Sequence, residues 1–343
     1  MSDEDLWDRS GPPDPEVERL ERLLAPLRGS GPPPVFGRPK RPRLASSLTA
    51  AAAALLAVSA AWLALRDSAP GWYVRSVAGQ PRLGRERLAD EGLWRVGQWL
   101  ETDSRSRAVA EAGEVGRVII GPGSRARLLD AGAASHRLAL AEGRLHAVIF
   151  APPLRFFVET PSALAVDLGC EYTLETDASG RGLLRVRSRW VGFEWKGRET
   201  FVPAGARCRT WPRRGPGTPV FETAWAEFRE ALDTLDGGPP DAAARAGSLA
   251  TVLVRARPRD AMSLWHLLAR LPAPERVAVV SRLSELVPPP SGASREALLS
   301  LDPVALDRWW NALNLDDVTW WRQWKRGWPN APVAGLPRKE RPR

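Results

Sequence analysis

Cysteine and histidine are nearly missing from this 343-residue chain, which holds two Cys and three His. So few soft ligands and nucleophiles leave no room for a zinc cluster together with a separate catalytic triad. Lysine is scarce as well: Lys40, Lys196, Lys325 and Lys339 stand among 49 basic residues, against 40 acidic ones. What the chain does have is 16 Trp, 32 Pro and 29 Gly in a composition 44% apolar and 26% charged. Bulk disorder is excluded by that composition. The length favours two or three units, with many turns and at least one linker.

Charge of either sign is absent from Leu44 to Leu65, 22 residues bounded by Arg43 and Arg66. A helix of that length rises about 33 Å, enough to cross a hydrocarbon core of roughly 30 Å, and only a helix satisfies its own backbone there. Trp62 suits an interfacial position. The 43 residues ahead of the run are too many for a signal-peptide leader, so a single membrane anchor is expected. Arg38, Lys40, Arg41 and Arg43 crowd its N-terminal side, whereas Arg66 sits beside Asp67 on the other. The Lys/Arg excess marks the cytoplasmic flank, which puts the N-terminus inside and residues 67–343 outside.

Residues 1–43 then form a cytoplasmic arm. Its first part is acidic, and Pro15 to Leu27 reads as a short amphipathic helix with Asp14 at the N-cap. Val17, Leu20, Leu23, Leu24 and Leu27 fall on one face. About three turns with nothing of their own to cover are marginal alone. Leu20, Leu23, Leu24 and Leu27 are therefore candidate contacts to a cytoplasmic partner, the other reading being a weakly ordered tail.

Residues 72–212 read as β: short apolar runs with a reversal about every ten residues. Strands are expected at 115–120, 126–129, 136–140, 145–150, 155–160, 164–168, 172–176, 183–187, 191–195, 200–202 and 207–211. Glu142-Gly143 and Lys196-Gly197 are among the turns. So many short strands imply a sandwich, roll or solenoid. Residues 213–222 read as a Pro/Gly-rich linker. Residues 223–328 change to a helical period, carried by Trp225, Phe228, Leu232 and Leu235, then Leu264, Leu268 and Leu271, then Val277, Val280, Leu283 and Leu286, then Asp302-Pro303 with Leu306, Trp309 and Trp310. A small Trp-rich all-α domain is expected there, followed by a basic tail over 329–343.

Several segments recur in the order of one known family. They are Gly97-x-x-Leu100-x-Thr102, Gly121-Pro122-Gly123-Ser124, Leu140-x-x-Gly143-x-Leu145, Thr160-Pro161, Asp167-Leu168-Gly169 and Val202-x-Ala204-Gly205. Together they resemble the FecR domain family over residues 95–210, about a third of the chain. The resemblance implies a bacterial inner-membrane regulator whose periplasmic FecR-like β-sandwich or β-roll senses an envelope signal. It also implies a cytoplasmic segment that controls an extracytoplasmic-function sigma factor. The arm here is shorter than the family's multi-helix anti-sigma domain, and the outer part ends in helices, so iron uptake is not implied. A non-signalling scaffold that holds cell-wall glycan or a protein complex is the alternative. Lipid bilayer, a sigma factor and a periplasmic protein or glycan are the expected partners; nucleic acid is not.

Asp167, Leu168 and Gly169 match the family's turn, where Asp caps the chain and Gly allows a positive φ. The family more often carries Thr after this step, so Cys170 reads as paired with Cys208 in a structural disulfide, permitted by an oxidising periplasm. Redox sensing and two buried free thiols are the other readings. His136 and His146, with Glu142 at a turn between them, would bind a metal only if all three faced one side, and no metal site is assigned. His266 lies within an apolar helix. Gly121-Pro122-Gly123 lacks the Lys and helix of a phosphate loop, and no triad stands out. No enzyme activity and no cofactor are expected.

Overall fold

The computed structural model describes residues 14–27 and 70–315. These belong to two units, Met1–Leu65 and Arg66–Arg343. In the first, α1 (Pro15–Leu24) opens on Asp14, whose Oδ1 accepts the Glu16 N–H at 2.8 Å, with Pro15 in the first turn. A 3-10 turn, Ala25–Leu27, follows it. None of the α1 residues is buried. Among the described residues no helix is long and apolar enough to cross a membrane; the uncharged run at 44–65 and the tail from 316 onward lie outside them.

The second unit begins with eighteen strands. They are β1 (Gly71–Ala78), β2 (Arg82–Leu83), β3 (Glu86–Arg87), β4 (Glu91–Arg95), β5 (Trp99–Glu101) and β6 (Arg107–Glu111), then β7 (Gly116–Ile120), β8 (Arg125–Ala131), β9 (His136–Ile149), β10 (Phe156–Thr160), β11 (Ala163–Asp167) and β12 (Glu171–Thr176), then β13 (Gly182–Ser188), β14 (Trp190–Trp195), β15 (Arg198–Pro203), β16 (Ala206–Trp211), β17 (Gly215–Pro216) and β18 (Val220–Phe221). One sheet runs β4–β1–β6–β7–β9–β12–β13–β16, with β17 and β18 both on β16. The other runs β3–β2–β5–β8–β9–β10–β11–β14–β15. Among the described residues every pairing is antiparallel except β9 with β10, where His136 lies opposite Phe156.

Strand β9 belongs to both sheets, and this corrects a reading of the sequence. Its 14 residues run on through Glu142-Gly143, which had looked like a hairpin turn. Residues up to Glu142 pair with β8 and β10, and those from Gly143 pair with β7 and β12. Gly143 makes the crossover at φ 98°, where a β-carbon would collide with the Ser124 backbone. Ser124 Oγ seals the bend, accepting the Arg144 N–H at 2.9 Å. The glycine in the motif is a bend in a continuous strand.

Alternation then builds the core. In β12, Tyr172, Leu174 and Thr176 are buried while Thr173 and Glu175 are half-buried, and in β1 Trp72 and Val74 point inward while Tyr73 and Arg75 are exposed. Trp72 packs edge-on to Trp94 at 5.7 Å and stacks on Phe156 at 6.0 Å, which ties the two sheets together.

Among the described residues six helices follow: α2 (Ala226–Gly237), α3 (Ala242–Arg255), α4 (Ala261–Leu268), α5 (Ala273–Leu286), α6 (Arg295–Leu299) and α7 (Pro303–Ala312). Asp241, Ser294 and Asp302 cap α3, α6 and α7, each accepting the backbone N–H three residues on. Their apolar faces meet in a second core around Phe228, Leu232, Leu264, Val280, Leu283 and Trp309.

The helices do not form a free-standing domain, because Met262 and Trp310 belong to the core of the sheets. The Trp310 ring lies 4.8 Å from Trp265, 5.4 Å from His266 and 6.1 Å from both Trp190 and Phe201. Nor is 213–222 a loose linker. Within it β17 and β18 extend the β16 sheet edge, and Gly215 through Phe221 are all buried. Proline and glycine there serve close packing.

Candidate functional site

The Asp167–Gly169 turn joins β11 to β12, with Asp167 and Leu168 buried and Gly169 half-buried. Asp167 Oδ1 accepts the Gly169 N–H at 2.5 Å and the Cys170 N–H at 3.2 Å, while Oδ2 accepts the Cys170 thiol at 2.9 Å. Gly169 has φ 80°, and a β-carbon there would crowd the Ala151 carbonyl and the Arg189 guanidinium. Burial raises the Asp167 carboxyl to about 7, outweighing these hydrogen bonds and the Arg189 charge. Burial, then the Asp167 charge, pushes the Cys170 thiol well up, which leaves it a poor nucleophile. Two residues on, the Tyr172 hydroxyl is buried with no hydrogen-bond partner among the described residues. The turn closes the chain and offers no open face for chemistry.

The expected Cys170–Cys208 bridge is corrected: both thiols are free and buried. Cys208 lies opposite Leu184 of β13, and Leu184 lies opposite Leu174 of β12. The two cysteines are thus two strands and four residues apart, about 10 Å across and about 13 Å along the sheet. A disulfide needs Cα atoms within about 7 Å. Cys208 instead gives its thiol hydrogen to the Gly217 carbonyl at 3.3 Å, and its pKa is pushed up mainly by burial.

The histidines are likewise kept apart by the continuous β9. His136, buried, accepts the Trp72 indole N–H at 3.1 Å; His146 meets Thr173 Oγ1 at 3.2 Å and Glu171 at 3.4 Å. Burial lowers both pKa values. His266 accepts the Phe201 N–H at 3.2 Å through Nε2 and faces the Met262 carbonyl through Nδ1, joining α4 to β15. Among the described residues no three His, Cys, Asp or Glu side chains converge on a metal position.

Two exposed places stand out among the described residues. The first is α1, whose Val17, Leu20, Leu23 and Leu24 are 55, 57, 69 and 52% exposed. The 3-10 turn places Leu27 just beyond the helix end.

The second lies where the sheets meet the helices. Arg270, buried, donates to the His266 carbonyl at 2.7 Å, Thr200 Oγ1 at 2.6 Å and the Gly217 carbonyl at 2.7 Å, and its Nε lies 3.7 Å from Asp236. Asp236 accepts the Thr218 N–H at 2.6 Å and hydroxyl at 3.1 Å. Burial lowers the Arg270 pKa and raises that of Asp236, and each partner's charge opposes the shift. Above this pair opens a cavity of about 350 Å³, walled by Trp195 and Trp211 and rimmed by Lys196, Arg198, Arg213 and Arg214. A larger cavity of about 610 Å³ sets Arg144, Arg181 and Arg209 against Glu175 and Asp177. Arg144 is already paired with Glu175 at 3.0 Å, so only the smaller cavity concentrates charge of one sign.

Lys196-Gly197 is the two-residue hairpin turn the sequence predicts between β14 and β15, but the sequence does not show the cavity, because Arg213-Arg214 read as part of a linker. The usable signal is a repeated one, a tryptophan followed within three residues by basic side chains at a turn.

No family model matches the chain, and no curated protein matches it. Two crystal structures of a putative anti-sigma factor from Parabacteroides distasonis show slight similarity. The one at 1.65 Å is 13% identical, with a TM-score of 0.32, over 39% of this chain and 63% of its own. The one at 2.50 Å is 9% identical, with a TM-score of 0.26, over 46% of this chain and 63% of its own. The chain thus spans about 63% of the length of each. Similarity at this level carries neither fold nor role across.

Proposed function

We propose that this protein is a non-enzymatic, single-pass regulator of the bacterial inner membrane, similar to the FecR domain family. Residues 1–43 lie in the cytoplasm, 44–65 cross the bilayer and 67–343 face the periplasm. The outer unit senses an envelope ligand or state, and the inner helix holds or releases a cytoplasmic partner of the sigma-factor class.

The observation that carries this reading is the uncovered face of α1. Four apolar side chains at i, i+3, i+6 and i+7 stand in solvent on a ten-residue helix whose other faces carry Glu16, Glu18, Arg19, Glu21 and Arg22. A helix this short is marginal in water, whereas burying one such side chain against a partner contributes about 1.5–3 kcal/mol. Folding and capture are therefore one event. The outer unit controls it only if its two states leave the helix with different partner affinities. A scaffold that holds an anionic glycan without signalling is the second reading, favoured by the basic rim above Arg270.

Leu23→Asp with Leu24→Asp is expected to weaken capture of the cytoplasmic partner at least ~100-fold, because two buried leucines become charges. Co-purification with the full chain from native membranes, quantified against wild type, reads this out. Unchanged recovery of the partner rejects the proposal.

A further inference from the structure

We propose that the cavity between Trp195 and Trp211 binds a sugar phosphate, with the phosphate on the rim arginines and the sugar ring against the indoles. The assignment names a ligand class for the outer unit in the reading above, but binding itself is a property of residues 70–315 and does not depend on what α1 captures.

Charge supplies the first argument. Lys196, Arg198, Arg213 and Arg214 are exposed around one mouth, and none forms an ion pair with a carboxylate among the described residues. The two cations deeper in the wall are already neutralised. Arg270 faces Asp236, and Arg245 holds Glu275 through two hydrogen bonds at 2.7 and 2.9 Å. Four uncompensated positive charges over a small concave surface focus a field that draws in an anion. Planar guanidinium forks match phosphate oxygens in pairs, and a dianion offsets more of this charge than a carboxylate does.

Construction supplies the second. The cations come from two separate turns, at β14–β15 and after β16, and each turn holds a non-glycine residue in the left-handed region, Lys196 at φ 47° and Arg213 at φ 64°. Such backbone is costly for a residue with a side chain and collects at functional sites. The walls are shaped around glycines. A β-carbon at Gly215 would run into the Trp195 ring, one at Gly217 into Trp211 and Asp236, and one at Gly238 into the Arg214 guanidinium.

Size and lining supply the third. About 350 Å³ is at the small end of ligand cavities. It admits one phosphorylated monosaccharide. Half-buried, the two indoles offer apolar surface to the C–H side of a pyranose.

The test is calorimetric titration of the full chain in a non-ionic detergent with glucose 1-phosphate, inorganic phosphate and glucose. Glucose 1-phosphate is expected to bind several-fold more tightly than phosphate, glucose not at all, and both anions more weakly as salt rises. Arg213→Ala with Arg214→Ala, and separately Lys196→Ala with Arg198→Ala, are each expected to lose at least ~10-fold in affinity for glucose 1-phosphate. These four side chains are exposed, so the unfolding temperature should hold and report that the cavity is intact. Glucose 1-phosphate binding no tighter than phosphate overturns the sugar wall. Affinity unchanged in either double variant, or no binding by wild type at millimolar concentration, overturns the site, while partner capture by α1 is left untouched.

Discussion

Arg270→Met is expected to destabilise the outer unit by about 3–5 kcal/mol, the usual cost of removing one partner from a buried ion pair. The Arg270 side chain is 7% exposed and that of its Asp236 partner 5%, so neither charge has much water to fall back on. Without Arg270 the Asp236 carboxylate keeps only Thr218, and the Gly217 and His266 carbonyls lose a donor each. In a unit of this size the unfolding temperature should fall by roughly 10 °C. Adding Asp236→Leu should restore part of the loss, because the charge left alone is then gone. Thermal unfolding of the two single variants and the double variant closes the cycle. A loss below about 1 kcal/mol for Arg270→Met would mean that this residue does not fasten the helices to the sheets.

The second large effect is a dependence on pH. The Asp167 carboxyl titrates near 7 in the folded unit against an ordinary 3.8, so between those values the folded state holds a proton that the unfolded chain has released. Its contribution is therefore fully present below about pH 3.8 and is lost as pH rises through 7, by up to about 4 kcal/mol. His136 and His146, both held below their usual pKa by burial, act in the opposite direction: their contribution is present above about 6.5 and fades in acid. Asp167→Asn separates the two. Asparagine Oδ1 still accepts the Gly169 and Cys170 N–H groups, though the amide nitrogen no longer accepts the Cys170 thiol, and it never ionises, so relative to wild type the variant should gain stability steadily from pH 4 to pH 7. Denaturant unfolding across that range tests this. A wild-type-minus-variant difference that stays flat would show that Asp167 titrates normally.

Legibility followed the length of the pattern. Strands from Gly116 to Trp211 stand out because inward and outward side chains alternate between glycine turns. β2 and β3, two residues each, are too short to have a period. Gly143 misled because a glycine that bends a strand and one that turns a hairpin look alike in the text, and the two histidines fell on different sheets as a result. The cysteine pair failed for a related reason: pairing depends on register, which is set by cross-strand contacts remote in sequence. Trp310 was legible as a helix-face residue, yet nothing local says that this face meets Trp190 and Phe201 of the sheets. The basic cavity exists only because two turns about 15 residues apart converge. The α1 face, by contrast, needed nothing beyond its own spacing and its Asp14 cap.

The proposed topology puts residues 1–43 and 67–343 on opposite sides of a bilayer, and cysteine labelling tests that proposal directly. Cys170 and Cys208 are buried, so wild type should be silent to a membrane-impermeant maleimide. Arg19→Cys and Glu86→Cys each place one thiol on an exposed surface of one unit. In spheroplasts Glu86→Cys should label at once, and Arg19→Cys only after the inner membrane is permeabilised. Labelling of Arg19→Cys in sealed spheroplasts, or protection of Glu86→Cys, would contradict the proposed anchor and the sensing role with it.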